Sequence, residues 1–407
     1  MPKSLWLVLI GAVINTTGSS FLWPLNTIYI HDILGHSLTF AGLILMLNSG
    51  AGIVGNLVGG FLFDRIGGYR SILIGLIITA GAGIALTIDH STWPYSVLLV
   101  IVGFGSGMVF PSMFALSGAV WPEGGRKPFN ALYVAQNIGV AVGTALGGLV
   151  ADISFSLIFT VNATMYILLT VFVFFTFRKI ATAVKPDHHP TNVIEQAGGH
   201  TQKGPFNALV ILSIGFVLCW MAYVQWTSTI ASYTQDLHIS YSHYSYLWTV
   251  NGLLIVFGQP LVSVVTKKLS SAKAQMLVGI GIFICSFIIL SFADSFNELM
   301  MAMVVLTLGE MLVWPAVPTV ANTLAPKGRA GFYQGFINSA ATGGRMIGPL
   351  FGGLIVDLFN MHVLFIVIIV CFIGAVVTSL VYDRPVLKGR TAQTYVQQKL
   401  PKKEYLH

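Results

Sequence analysis

Charged residues are scarce in this chain of 407 residues, of which only 9% are Asp, Glu, Lys or Arg. A soluble domain has about 25% charged residues and needs them to cover its surface. Hydrophobic residues instead make up 55% of this chain. The balance excludes a soluble enzyme and a disordered protein, and it predicts a protein that crosses the membrane several times.

Cysteine is also rare, and the three cysteines (Cys219, Cys285 and Cys371) all lie inside apolar runs. An odd number of cysteines in such places implies no disulfide framework. The apolar run over residues 5–29 is too long for the core of a signal peptide and lacks a small-residue cleavage site, so we interpret it as the first span. No histidine or acidic cluster has the spacing of four metal ligands, and we expect neither a metal nor a cofactor.

The net charge is +7, but the basic residues are scattered between apolar runs, which argues against a nucleic-acid partner. A membrane helix needs about 20 apolar residues, so an all-α membrane protein with twelve spans fits the chain. We predict these spans at residues 5–30, 38–63, 70–89, 93–118, 129–151, 154–177, 206–233, 243–266, 274–293, 298–323, 331–356 and 361–382.

One long polar stretch divides the predicted spans into two groups of six. Its composition, rich in proline, glycine and charge, is typical of a linker. We predict an N-terminal six-helix bundle over residues 1–180, a cytoplasmic linker over 181–205, a C-terminal six-helix bundle over 206–383 and a basic cytoplasmic tail over 384–407.

Lysine and arginine test this arrangement, because cytoplasmic loops carry an excess of both. With the N-terminus in the cytoplasm, 20 of the 21 basic residues fall in cytoplasmic segments, and Arg345 lies inside span eleven. We therefore predict a multi-pass protein of the cell membrane with both termini inside. The outer loops carry acidic residues instead: Asp32, Asp89, Asp152, Asp236, Asp294, Glu298 and Asp357.

The two halves of the chain repeat each other at an offset of 203 to 205 residues. Trp23 matches Trp226, and Asn48 matches Asn251. Because each half has an even number of spans, the two halves share one topology, and their symmetry axis runs along the membrane normal. Two bundles related in this way enclose a central cleft and can rock about it, which is typical of transporters.

A short motif joins spans two and three, and it resembles the signature loop of the major facilitator superfamily. The motif consists of Gly60, Asp64, Arg65, Gly67 and Arg70. The resemblance implies a latch that holds the outward-facing state, in which the acid faces a helix N-terminus and the arginines pair across the bundle interface. The alternative is that the arginines only set the topology. The matching loop of the second half is degenerate.

Glycines spaced four apart occur in spans five and eleven and predict close helix packing. In the superfamily, this glycine pattern with a proline directly after its second glycine marks drug antiporters when it lies in span five. Here Thr144 replaces that proline in span five, and the copy that keeps the proline, Pro349, is in span eleven. Span four also lacks the arginine that drug–proton antiporters often carry. The predicted packing residues are Gly143, Gly147, Gly148, Gly348, Pro349, Gly352 and Gly353.

Two charged residues, Glu310 and Arg345, lie near the middle of predicted spans. A lone charge there costs about 2.5–3.5 kcal/mol on insertion scales, so each is a candidate functional residue. Glu310 resembles an acid of proton-coupled multidrug exporters that contacts cationic drugs or carries the proton. The alternative is an ion pair between the two residues, or for Arg345 a contact with backbone carbonyls.

The cleft is expected to be lined by spans one, four, seven and ten, as the superfamily fold implies. Aromatic walls with few charges favour lipophilic or cationic ligands. For any single aromatic residue, ordinary packing is the alternative. The predicted lining residues are Asn15, Trp23, Phe104, Phe110, Trp220, Tyr223, Gln225, Trp226 and Trp314.

The resemblance covers essentially the whole chain and implies a drug:proton antiporter that exports hydrophobic or cationic small molecules in exchange for protons. We expect a monomer embedded in the lipid bilayer. A carrier of a sugar or metabolite with the same fold is the first alternative. A multispan receptor or membrane enzyme is the second, and the absence of a catalytic constellation argues against an enzyme.

Overall fold

The computed structural model describes residues 1–124, 127–183, 203–269, 271–326 and 330–386, and its secondary structure in these ranges is helical. Most of the predicted linker and nearly all of the predicted tail lie outside the described residues. The side chain of Asp64 also lies outside them.

The helices follow the predicted spans to within a few residues at most ends. Those of the N-terminal half are α1 Lys3–Ser20, α2 Leu38–Ile66, α3 Gly68–Ile88, α4 Thr92–Val120, α5 Lys127–Ile153 and α6 Phe155–Ala183. Those of the C-terminal half are α7 Lys203–Tyr223, α8 Tyr241–Phe257, α9 Ala272–Ser291, α10 Phe296–Leu324, α11 Ala330–Leu358 and α12 Met361–Val381.

Ten segments within the described residues are long and apolar enough to cross a membrane, which makes this a multi-pass membrane protein. The other two predicted spans correspond to α8 and α11. Helix α8 has only 17 residues before a break at Gly258, and α11 carries Arg345 and Asp357. The count of twelve spans and the cytoplasmic position of the termini stay predictions.

Three predicted spans are interrupted rather than continuous. Span one continues beyond α1 as a 3-10 turn at Trp23–Leu25, where Pro24 lacks a backbone N–H. Span seven has the equivalent 3-10 turn at Val224–Thr227. Span eight breaks at Gly258 and resumes as Gln259–Lys268. The first two breaks lie 201 residues apart, near the offset of the internal repeat.

Within each half, the helices pack mainly against one another. In the N-terminal half, α4 packs against α2 and α3, and α1 packs against α5 and α6. In the C-terminal half, α7 packs against α11 and α12, and α9 packs against α10 and α12. The protein therefore consists of two helical bundles, related by the repeat seen in the sequence.

The bundles meet along two helix pairs, α2 with α11 and α5 with α8. We call the end of the molecule that carries the α2–α3 turn and Arg65 the basic side, and the end that carries Asp152 and Asp357 the acidic side. The Asp357 carboxylate accepts hydrogen bonds from the N–H groups of Leu38 and Thr39 at the start of α2 (3.3 and 2.7 Å). Asp152 likewise accepts from the N–H and hydroxyl of Ser242 at the start of α8.

The same helix pairs separate toward the basic side. Met346 of α11 reaches within 3.7 Å of the position that a Cβ would take on Gly50 of α2, but Leu57, two turns further on the same face of α2, is 72% exposed. On α5, Asn137 faces Gly252 of α8, whereas Tyr133, one turn nearer the basic side, is 47% exposed. A gap between the bundles therefore opens on the basic side and is closed on the acidic side.

Candidate functional site

Glu310 lies near the middle of the 29-residue helix α10 and is 8% exposed. One of its carboxylate oxygens, Oε2, accepts hydrogen bonds from the Tyr223 hydroxyl and the Asn251 side-chain amide, both at 2.9 Å. The Asn251 amide also contacts the Thr307 hydroxyl at 2.9 Å. Side chains from α7 and α8 therefore hold this carboxylate of α10 by charge-assisted hydrogen bonds, and Thr307 of α10 positions the Asn251 amide.

Two tryptophans stack beside this carboxylate. The rings of Trp220 and Trp314 lie 4.2 Å apart between centroids and are nearly parallel, with 3° between their planes. The Tyr223 ring contacts both edge-on, with centroids 5.4 Å from each. Both tryptophans are only partly buried. They form an aromatic wall on helices α7 and α10, next to Glu310.

Arg345 lies near the middle of α11, on the other side of Trp220. Its guanidinium carbon is 4.6 Å from the centre of the Trp220 ring, and it donates a hydrogen bond of 3.3 Å to the Thr342 hydroxyl. The ion pair between Arg345 and Glu310, one alternative from the sequence, is not formed. Within the part of the chain that the structure describes, the ion pair present joins Lys273 and Asp383.

The N-terminal bundle contributes Tyr133 of α5, which is exposed where the two bundles separate. Tyr133 was not among the residues predicted from the sequence. The available signal was a polar pair one turn apart, Tyr133 and Asn137, within an apolar span. Tyr133 therefore adds a polar group of the opposite bundle to the gap.

The other predicted lining residues are distributed unevenly. Trp23 is partly exposed and packs against Trp248 of the other bundle, with ring centroids 4.9 Å apart. Phe110 is exposed, whereas Phe104 and Asn15 are half-buried. The side-chain oxygen of Asn15 is buried without a hydrogen-bond partner among the described residues.

Gln225 and Trp226 are fully buried and do not line the gap, contrary to the prediction. They belong to the 3-10 turn after α7, which turns these side chains into the C-terminal bundle. The Gln225 amide donates to the carbonyls of Met221 and Gly348, at 2.8 Å each. Gln225 therefore stabilises the break in span seven.

The glycines of spans five and eleven make matching contacts. Gly143 and Gly147 face α1 and the Phe21 backbone that follows it, as Gly348 and Gly352 face α7 and its extension. Gly148 faces Ser245 of α8, and a Cβ added there would lie 2.5 Å from the Ser245 Cβ. The symmetric contacts across the bundles bring Gly353 against the Leu38 carbonyl and Pro349 against Gly42.

The signature motif lies at the basic side, where the bundles are apart. Gly67 forms the α2–α3 turn with a φ of +86°, a conformation that favours glycine. Arg65 and Arg70 are exposed, and the Arg65 guanidinium lies 4.5 Å from the Phe61 ring of its own helix. Space around Gly60 is open. Among the side chains that the structure describes, none pairs with Arg65 or Arg70 across the interface in this conformation.

No group of three or more His, Cys, Asp or Glu side chains within the described residues is arranged to hold a metal ion. The chemistry that the site offers is therefore that of its carboxylate, guanidinium, hydroxyl and aromatic groups.

Comparison with known proteins places this geometry in a family. The family model of the Major Facilitator Superfamily matches residues 8–233 and 211–405 of the chain. The chain belongs to the major facilitator superfamily. As a superfamily member it is a membrane transporter and not an enzyme.

Relatives of the chain cover nearly its whole length. It is 59% identical to the MFS-type transporter YttB of Bacillus subtilis (strain 168), over 96% of this chain and 98% of the relative. It is 21% identical to the multidrug resistance protein MdtH of Klebsiella pneumoniae (strain 342), over 86% of each chain. The crystal structure of the POT family transporter PepTSo superposes with a TM-score of 0.76 at 16% identity, over 96% of this chain and 99% of that chain, and shows the shared fold.

Proposed function

We propose that this transporter exports hydrophobic and cationic small molecules in exchange for protons. The observation that carries the proposal is Glu310, an acid in the middle of a membrane helix that has no basic partner among the described residues. Its carboxylate is available to a proton or to a cationic ligand. Since the two compete for one negative charge, binding of one favours release of the other, which is the exchange that antiport needs.

The aromatic wall supports a lipophilic, cationic ligand. Trp220, Tyr223 and Trp314 lie next to the carboxylate, and aromatic faces attract cations as well as apolar rings. The relative MdtH is named as a multidrug resistance protein, which agrees with such a ligand. The sequence departs from the drug–proton antiporter pattern at Thr144 in span five and in its uncharged span four. Both departures are compatible with a proton route through Glu310 alone.

Alternating access completes the proposed cycle. The gap opens on the basic side, which the distribution of lysine and arginine predicts to be cytoplasmic. In the opposite state the bundles close on the basic side, and the motif of Gly60, Asp64, Arg65, Gly67 and Arg70 then acts as the latch. Rocking of the two bundles about the central site exposes Glu310 first to one side of the membrane and then to the other.

Transport by proteoliposomes tests the proposal. Purified protein is reconstituted, a pH gradient is imposed, and uptake of ethidium, a hydrophobic cation, is followed by fluorescence. We expect gradient-driven uptake by the wild type, its loss in Glu310→Gln, and normal uptake in Glu123→Gln, which removes an exposed carboxylate on the basic side. Unchanged uptake by Glu310→Gln contradicts the proposal. Transport only of a sugar or metabolite down its gradient supports the facilitator alternative.

A further inference from the structure

We infer that Arg345 binds an acidic group of the transported substrate, so that the preferred substrates are amphoteric aromatic compounds. The inference rests on the proposed function, because it adds a second ligand-binding group to the gap that holds Glu310. The first observation is that the Arg345 guanidinium, in the middle of α11, has no carboxylate partner among the described residues. A charge at that depth is costly unless a partner or water meets it.

The contacts of α11 show where Arg345 points. Gly344 packs against Val217 and Trp220 of α7, and Met346 packs toward Gly50 of α2 in the other bundle. Successive residues of an α-helix are rotated by about 100°. Arg345 therefore leaves α11 between the directions of α7 and α2, toward the space between the bundles. Its side chain is exposed there.

The guanidinium has unused capacity for hydrogen bonding. Of its five N–H donors, the structure shows one in use, in the 3.3 Å bond to Thr342. The guanidinium carbon lies over the Trp220 ring, 4.6 Å from its centre, and the remaining N–H donors are left for a ligand. A planar fork of N–H donors matches the two oxygens of a carboxylate.

Glu310 does not serve as this partner in the structure. Its described hydrogen bonds come from Tyr223 and Asn251, on helices α7 and α8. Arg345 and Glu310 instead flank one aromatic wall, because Trp220 contacts Arg345 and also contacts Tyr223, the hydrogen-bond donor of Glu310. A ligand beside this wall meets a negative group toward α10 and a positive group toward α11.

Exposed polar groups continue from Arg345 toward the basic side. Asn338 and Thr342 precede it by seven and three residues, which places all three on one face of α11. Asn338 is exposed, and no atom lies within 4 Å of a Cβ added to Gly335, one turn further on. The Thr342 hydroxyl donates to the Asn338 carbonyl at 2.9 Å, so the exposed Asn338 side-chain amide is the donor that an acidic group meets between the basic side and Arg345.

Two dyes that differ in one group test the inference. Rhodamine 19 carries a free carboxylate beside its cationic ring system, and rhodamine 6G is its ethyl ester. In proteoliposomes with a pH gradient, we expect wild-type protein to transport rhodamine 19 with a higher kcat/KM than rhodamine 6G. Arg345→Gln should lower the value for rhodamine 19 about tenfold and leave that for rhodamine 6G within about twofold, because a hydrogen bond to a charged group is lost for one dye only.

Two further variants separate ligand binding from a structural role. Arg345→Lys keeps the charge and loses the fork, and we expect an intermediate loss for rhodamine 19 alone. Arg345→Gln combined with Glu310→Gln tests a hidden ion pair. An equal loss of both dyes in Arg345→Gln, or a rescue of that variant's dye binding by Glu310→Gln, would overturn the inference and leave the proposed function intact. If the wild type transports neither dye, the inference and the proposed function are both overturned.

Discussion

At the scale of single residues, the environment of Glu310 decides what the protein can do. Two neutral donors, Tyr223 and Asn251, hold the carboxylate at 2.9 Å each, so the charge is stabilised without being neutralised. A fixed ion pair with Arg345 would leave neither residue available to a ligand. The arrangement found instead leaves both charges of the membrane interior next to one aromatic wall.

The Tyr223 hydroxyl is predicted to matter for exchange more than for binding of an aromatic ligand. Tyr223→Phe keeps the ring contacts with Trp220 and Trp314 and removes one donor to the carboxylate. A hydrogen bond to a charged group contributes about 1.5–3 kcal/mol, so we expect pH-gradient-driven ethidium transport to fall about tenfold or more. Ethidium binding, measured by quenching of tryptophan fluorescence, should change less than transport.

The matched control is Tyr244→Phe. Tyr244 is also buried in the C-terminal bundle, but its hydroxyl donates to the Trp226 carbonyl, away from Glu310. The interpretation would be contradicted if both tyrosine variants lost transport equally, or if Tyr223→Phe lost binding and transport in parallel.

The sequence identified the charges of the site but not their partners. Glu310 and Arg345 were recognisable because each interrupts a long apolar run. Their separation was not, since it depends on how α10 and α11 are placed and rotated in the bundle, which follows from packing contacts between distant residues. From the sequence alone, Asn251 is equally compatible with a hydrogen bond that only joins two helices and does not involve Glu310. Its hydrogen bond to Glu310 became visible only in the fold.

At the scale of helices, hydropathy and charge located the spans but not the breaks within them. The 3-10 turns at Trp23–Leu25 and Val224–Thr227 have apolar sequences that fit a continuous helix. Their geometry is set by tertiary hydrogen bonds, such as those of the buried Gln225 amide. Those breaks explain why Gln225 and Trp226 are buried rather than exposed to the gap.

The closed acidic side is predicted to depend on acids that cap helices of the opposite bundle. Asp357→Ala removes the acceptor for the Leu38 and Thr39 N–H groups at the start of α2. Loss of such a cap costs about 0.5–2 kcal/mol, so the ratio of closed to open acidic sides should fall by a factor of about 2 to 30. Spin labels at Ile88 and Phe292, both exposed at the acidic side, report this ratio as a distance distribution.

Asn360→Ala is the control for this prediction. Asn360 caps α12 through the Val363 N–H, within one bundle, so its loss should leave the spin-label distances unchanged. An unchanged distribution in Asp357→Ala, or an equal shift in both variants, would show that the acid does not close the acidic side.

At the scale of the whole molecule, the internal repeat accounts for the contacts between the bundles. Asp152 and Asp357 are equivalent positions of the repeat, and each caps a helix of the other half. Gly148 and Gly353 are equivalent as well, and each allows a close approach to the other half. Duplication thus produced two similar interfaces, and both lie on the acidic side. The sequence predicted the pairing of the halves, but not which side of the molecule would be closed.

The central claim is that a proton and a cationic substrate compete for Glu310, and proton release tests it most directly. Ethidium is added to purified wild-type protein in a weakly buffered detergent solution, and the pH is recorded while binding is followed by fluorescence. We predict acidification that saturates together with ethidium binding in the wild type and disappears in Glu310→Gln. Binding of ethidium to the wild type without proton release, or equal release from Glu310→Gln, would contradict the account.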